Sequence, residues 1–220
     1  MQAITNLSDE SKETHGIIYP GMPDRAMLNI YRDLRNKLLR LSDYENFVCL
    51  ISALAPNGET ARLTINLAAV FAFDKSRSSI VIDCDTNPNL IDDLARHEDG
   101  NGLIDFIENE LDDVSVLIQE SGIERLRIIP AGNVIETRTE SLESVRMREI
   151  VSELKRRYPD RYIFINAPSM KTSSEVQVLS NVSDSVIFQL DSGAVDESQV
   201  VDAVEMIGAE KVAGIVFSGQ

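Results

Sequence analysis

A chain of 220 residues with 43% hydrophobic side chains is long enough for one domain with a sizeable core. Its 36 acidic against 21 basic residues leave a formal charge of −15, which repels polyanions and argues against nucleic acid or an anionic membrane surface as a direct partner. No apolar run approaches the ~18 residues of a membrane span, and the opening MQAITNLSDESKETHGIIYP lacks the basic-then-apolar order of a secretion signal, so the cytoplasm is the expected location.

Residues 1–23 read as a flexible, acidic N-terminal arm and 24–220 as the folded domain. DRAMLNIYRDLRNKLLRL carries apolar residues at Met27, Ile30, Leu34, Leu38 and Leu41, which is helical spacing. FVCLISA then predicts a strand, ARLTINLAAVFAF a helix, and SIVIDCD a strand ending in Asp83 and Asp85. NGLIDFIENE predicts a short helix, and RLRIIPAG a strand stopped by Pro130 and Gly132. SLESVRMREIVSELKRRY predicts one long amphipathic helix, YIFINAP a strand, SEVQVLSNV a helix, SVIFQL a strand, ESQVVDAVEMIG a helix and VAGIVFSG a final strand. Cys49 and Cys84 lie inside apolar runs and read as buried thiols, with no disulfide framework or metal spacing. His15 and His97 read as surface residues, and no tyrosine stands out as a phosphorylation site.

This alternation predicts a three-layer α/β/α fold with a mostly parallel central sheet. Ligands of such sheets bind at the carboxyl ends of the strands. Here those ends are Ala53 onward, Asp83-Cys84-Asp85, Asn166-Ala167-Pro168 and Ser218.

Read in order, these segments resemble the bacterial tyrosine kinases of capsule and exopolysaccharide synthesis, which belong with the ParA/MinD-type ATPases among the deviant P-loop proteins. The resemblance runs from about Arg25 to Gly219. IYRDLRNKL resembles the family's N-terminal Glu-x-x-Arg-x-x-Arg helix, SALAPNGETARLTINLA the Walker A loop and its helix, and IVIDCDTNPNL the Walker A′ segment. IIPAG with SLESVRMREIVSELKRRY matches a shared strand-turn-helix, and YIFINAPS stands where Walker B ends in Asp-x-Pro-Pro. The resemblance implies that residues 24–220 form a P-loop NTPase-like domain. It also makes Pro56, Asn57, Gly58, Glu59, Thr60, Ala61 and Arg62 the phosphate loop, with Asn166 and Ser218 beside the nucleotide. Asp83 is implied as the metal ligand with Asp85 assisting, and Asn29, Arg32 and Arg35 as a subunit contact.

The chain departs from that pattern at the positions that carry chemistry. Thr60 stands where the resemblance implies the phosphate-binding Lys, Ala61 for the Mg²⁺-binding Ser or Thr, Glu59 for a Gly, and Asn166 for the Walker B Asp. Asn29 stands for the Glu of the N-terminal motif, and the Tyr-rich tail of the kinases does not follow VFSGQ. A P-loop combines backbone N–H groups, a Lys across the β- and γ-phosphates and a hydroxyl on Mg²⁺. Losing Lys and hydroxyl together weakens binding by roughly 3–5 kcal/mol, or two to four powers of ten. A carboxylate at position 59 repels phosphate, and a neutral Asn166 withdraws a charge from the metal.

The expectation is a catalytically impaired, kinase-like regulatory or binding module, with no cofactor or only weakly held ATP or ADP with Mg²⁺. By resemblance its partner is the cytoplasmic end of a membrane chain-length (co-polymerase) protein, which would bring the chain to the membrane indirectly. A monomer or dimer is expected rather than a ring. Two alternatives stay open: a divergent active autokinase or ATPase, with Arg62 as the substitute cation, and a ParA/MinD-like scaffold. Asp83 and Asp85 read equally as a remnant metal site or as solvent-facing strand ends, Thr60 reads first as an ordinary first-turn residue, and Arg32 and Arg35 read equally as a solvated helix face or a subunit contact.

Overall fold

A computed structural model describes residues 6–55, 60–95, 102–109, 113–133, 138–171, 173–191 and 196–218. Seven strands form one sheet: β1 (Val48–Ala53), β2 (Ser78–Asp83), β3 (Gln119–Glu120), β4 (Leu126–Ile129), β5 (Arg161–Asn166), β6 (Ser185–Asp191) and β7 (Val212–Ser218). Their order is β3-β4-β2-β5-β1-β6-β7, and every pairing is parallel except β3 with β4. The helices are α1 (Asp9–Thr14), α2 (Arg25–Leu41), α3 (Thr60–Ala72), α4 (Leu90–Leu94), α5 (Leu103–Glu108), α6 (Arg138–Glu143), α7 (Val145–Arg157), α8 (Glu175–Ser180) and α9 (Glu197–Ile207).

The apolar runs of the central strands become two cores because side chains alternate across a sheet. Cys49 and Ile51 of β1 face one side, where Leu28, Leu38, Ile65 and Phe71 cover them. Val48 and Leu50 face the other, with Leu103, Phe106, Ile150 and Leu154. An aromatic knot of Phe47, Phe71, Tyr162 and Phe164, with ring centroids 4.6 Å apart for Phe71 and Tyr162, fastens α3 to the sheet. The expected three-layer α/β/α architecture is thus the observed one. Cys49 and Cys84 are buried free thiols, and burial pushes the Cys49 thiol up to about 12.

Three local expectations are corrected. The seam of α2 runs through Leu28, Tyr31, Leu34 and Leu38, whereas Met27, Ile30 and Leu41 stay exposed. The long helix breaks in two because Ser144 leaves helical geometry (φ −60°, ψ 157°) and accepts a hydrogen bond from the Met147 amide, capping α7. The N-terminal segment is not a free arm over its described residues. Ser8 caps α1, and Ile17 and Ile18 are 1% exposed, with Tyr19 and Met22 buried beside them.

A single buried residue on α3 ties this N-terminal strap down. The Asn66 side-chain carbonyl accepts from the Ile18 amide at 2.9 Å, and its amide donates to the Gly16 carbonyl at 2.9 Å and to the Tyr31 hydroxyl at 3.3 Å. Gly16 makes the bend at φ +65°, a conformation that costs glycine nothing. Farther out, the Leu7 amide donates to Gly122. Asn66→Ala leaves the strap's backbone groups unpaired in an apolar wall and should lower stability by about 1–3 kcal/mol. Amide exchange at Ile18 should quicken more than exchange in the sheet; equal quickening would mean that the strap and sheet open together.

Candidate functional site

The sheet order sets β2, β5 and β1 side by side, with Asp83 opposite Asn166 and Asn166 opposite Ile51. The carboxyl ends of these strands meet the first turn of α3. Its buried Thr60 hydroxyl donates to Asn166 Oδ1 at 2.7 Å and approaches the Ala167 carbonyl at 3.3 Å. Thr64, one turn on, donates to the Thr60 carbonyl at 2.9 Å and reaches the same Asn166 oxygen at 3.3 Å.

Asn166 then turns its amide to Asp83 Oδ1 at 2.8 Å, and the Asp85 backbone amide adds a second donor at 3.0 Å. Asn89 Nδ2 donates to Asp83 Oδ2 at 2.9 Å. Both carboxylate oxygens of Asp83 are therefore engaged by the protein. Burial pushes its carboxyl up to about 7, against the pull of the Asn166, Asn89 and Asp85 donors. Asp83 is not a solvent-facing strand end, and Thr60 is not an ordinary first-turn residue. Together with Asn166 and Asn89 they form one closed polar chain.

Asn89 and Thr64 were not singled out from the sequence. Asn89 carried a readable signal: NLID is a capping box, in which Asn89 Oδ1 accepts from Ile91 at 2.7 Å and Asp92 accepts from the Asn89 amide at 3.0 Å. The cap of α4 thereby aims the Asn89 amide at Asp83. The Asp85 side chain stands apart from this chain, its Oδ1 accepting from the Asn87 backbone and side chain at 3.0 and 2.7 Å.

Above the network lies a cleft of about 1020 Å³. Its lining sets the carboxylates of Glu13, Asp85, Asp92 and Asp93 against Arg62 and His15. Glu13 and His15 come from the strap, so the N-terminal segment forms part of the cleft wall. His15, half-buried, shares its Nδ1 with the Ser11 carbonyl at 2.7 Å. Among the described residues no group of three or more His, Cys, Asp or Glu is placed to hold a metal.

Thr60, Ala61, Arg62, Asp85 and Asn166 all line the cleft, with Asp83 directly beneath through its bond to Asn166. Pro56, Asn57, Gly58 and Glu59 lie outside the described residues, as does His97. Ser218 does not line the cleft; its hydroxyl donates to Asp191 at the end of β6. On α2, Arg32 turns to Asn29 of its own helix at 3.5 Å, and Arg35 turns inward to the Val70 carbonyl at 3.1 Å. Arg35 thus binds the last turn of α3 rather than facing outward, because helix carbonyls there lack intrahelical donors.

No protein-family model matches the chain. The tyrosine-protein kinase CpsD of Streptococcus agalactiae serotype III (strain NEM316) is 22% identical over 185 residues, covering 82% of this chain and 77% of that protein. Among solved structures, the kinase domain of the Escherichia coli tyrosine kinase ETK superposes with a TM-score of 0.80 at 19% identity, over 100% of this chain and 82% of that one. The septum site-determining protein MinD of Pyrococcus horikoshii OT3, solved with Mg-ADP, superposes with a TM-score of 0.62 at 17% identity, over 78% and 69%. At these identities the structural matches establish the fold alone, a mostly parallel α/β/α sheet shared with the ETK kinase domain and with MinD.

Proposed function

We propose that this chain, a relative of the bacterial tyrosine kinases in sequence and fold, is a catalytically impaired module that binds or regulates partners in capsule or exopolysaccharide synthesis. The carrying observation is the closed chain Thr60–Asn166–Asp83–Asn89. Phosphoryl transfer relies on a cation at the phosphates and carboxylates that hold Mg²⁺. Here the residues at those positions bond to one another. Thr60 spends its proton on Asn166, and Asp83 accepts donors on both oxygens.

Asn166 fits this reading in a specific way. A second carboxylate at its position, 2.8 Å from Asp83, would force the pair to share a proton or a divalent cation. An amide there adds no second carboxylate and donates directly to Asp83. The cleft above is also a poor cradle for a triphosphate, since Glu13, Asp85, Asp92 and Asp93 all carry the wrong sign. No step of a phosphoryl transfer is therefore assigned to these residues.

The competing reading, a working tyrosine kinase, draws on the similarity to the tyrosine-protein kinase of Streptococcus agalactiae and on Arg62, which lines the cleft. Calorimetry with ATP and Mg²⁺ separates the two. The natural chain should show dissociation constants no tighter than millimolar. A Thr60→Lys/Ala61→Ser/Asn166→Asp variant should bind at least ~100-fold more tightly, the equivalent of about 2.7 kcal/mol. Micromolar, Mg²⁺-dependent binding by the natural chain overturns the proposal. The partner we propose is the cytoplasmic end of a membrane-embedded chain-length protein, and co-purification with that protein from membranes, independent of added nucleotide, is its expected signature.

A further inference from the structure

The face made by α8 and α9 joins exposed apolar side chains to uncompensated acid. A groove of about 380 Å³ opens between the two helices, with Met170, Gln177 and Met206 among its lining residues. Met206 is 55% exposed, and Val201, also on α9, is 48% exposed. Ala203 and Ile207 turn to the core, so these two sit on the helix's outer face. Methionine adapts its shape to what it packs against, which suits a surface that receives a partner. Between Lys171 and Lys211 the chain has eight acidic residues and no basic one. Three are used by the fold: Glu175 is buried, Asp184 pairs with Lys155 at 2.7 Å, and Asp191 accepts from Ser218. The other five, Asp196, Glu197, Asp202, Glu205 and Glu210, are exposed, and no ion pair among the described residues involves them.

We propose that this face docks a basic amphipathic peptide segment of another protein. The segment's apolar side chains pack on Met170, Val201 and Met206, and its Lys or Arg residues meet the carboxylates of α9. Charge complementarity selects that occupant. Glu197 and Glu205 lie one turn before and one turn after Val201, and Asp202 lies one turn before Met206, so each exposed apolar residue has carboxylates beside it. The last turn of α9 holds no base, whereas that of α7 holds Lys155, Arg156 and Arg157. Glu205 therefore stands near the negative end of its helix with no cation of that helix to offset it, and an incoming cation is favoured there. A second copy docking by the same face would set these five carboxylates against the same five, which repels. Among the described residues no three ligating groups converge to hold a metal ion instead. The inference rests on the reading of the chain as a partner-binding module, and it names the surface that module uses. Cytoplasmic segments beside membrane spans carry an excess of Lys and Arg, the chemistry this face selects.

The test is fluorescence anisotropy of the full chain with a labelled amphipathic peptide of Leu and Lys, about four helical turns long, added without nucleotide. Saturable binding is expected, and a peptide of the same design with Glu for Lys should not bind. Val201→Ser/Met206→Ser keeps the net charge and should raise the dissociation constant at least ~10-fold, with the circular dichroism spectrum unchanged. Asp202→Lys/Glu205→Lys should raise it by a similar factor. Asp33→Lys/Glu143→Lys, an equal change of charge at exposed sites on α2 and α6, should move it less than ~2-fold. Lys171 is the one cation among the groove's lining residues, and Lys171→Glu should leave binding as tight or tighter. Absence of saturable binding, binding that survives Val201→Ser/Met206→Ser, equal weakening by the α2 and α6 changes, or weakening by Lys171→Glu would each overturn the proposal. The readout is separate from that of the cleft: micromolar ATP binding would remove the catalytically impaired reading and leave this surface standing, and failure of the peptide would do the reverse.

Discussion

Asn166→Ala should lower the unfolding free energy by roughly 2–4 kcal/mol in a urea titration, more than any other single change in the cleft. The Asn166 side chain links the two halves of the buried network, receiving on one side and giving on the other. It accepts from Thr60 and donates to Asp83. Removing it leaves Asp83 with the Asp85 and Asn89 donors only, and sends the Thr60 hydroxyl to the longer contact with Ala167. Each buried polar group that loses its partner costs about 1–3 kcal/mol, and the backbone donors that remain offset part of the sum. Thr60→Val removes a single link and should cost about 1 kcal/mol. If the two variants proved equally mild, water would be replacing the amide and the network would not be the rigid centre inferred above.

The second large effect is a dependence of stability on pH that runs opposite to ordinary acid denaturation. Asp83 titrates near 7 in the fold against a usual value of 3.8, because burial disfavours its charge. Between these values the folded chain keeps a proton that the unfolded chain releases. The contribution is fully present below about 3.8, falls as pH rises, and is gone above about 7. Three units of separation set its ceiling at roughly 4 kcal/mol. Asp74 and Asp113 act in the other direction. Hydrogen bonds from Ser76 and Ser115 hold them below the usual carboxylate range, so their contribution is lost as pH falls through the depressed values. The stability maximum should therefore lie in mildly acidic solution. Asp83→Asn should flatten the slope between pH 4 and 7 in thermal melts; a slope that survived would belong to other groups.

Much of the fold was legible because its signals are local. Runs such as VCLIS and YIFIN are apolar on both faces, which only a sheet covered on two sides explains. The start of α3 and the strand ends at Asp83 and Asn166 followed from the same alternation. What stayed hidden depended on distance. The pairing of Asp83 with Asn166 is a matter of strand register across 83 positions, and no local pattern encodes it. The strap was misread because its acids and serines dominate a composition count, whereas its docking rests on the short apolar group Ile17, Ile18, Tyr19 and Met22. On α2 a regular stripe through Met27 and Ile30 competed with one beginning at Leu28. Both have helical spacing, and only the neighbouring α3 decides between them. Ser144 and Asn89 are the cases where a readable cap was passed over.

The strap has a consequence for how the molecule is made. Residues 6–23 leave the ribosome before the segments they dock on, since Ile18 waits for Asn66, 48 positions later, and Leu7 waits for Gly122. Synthesis thus leaves Ile17, Ile18 and Tyr19 uncovered until α3 has emerged. They are covered only when α3 and the turn before β4 have formed. Contacts of this range are slow to close and leave apolar surface open to the wrong partners. The acidic residues Asp9, Glu10 and Glu13 just ahead of them supply a like charge that keeps nascent chains apart until the segment docks.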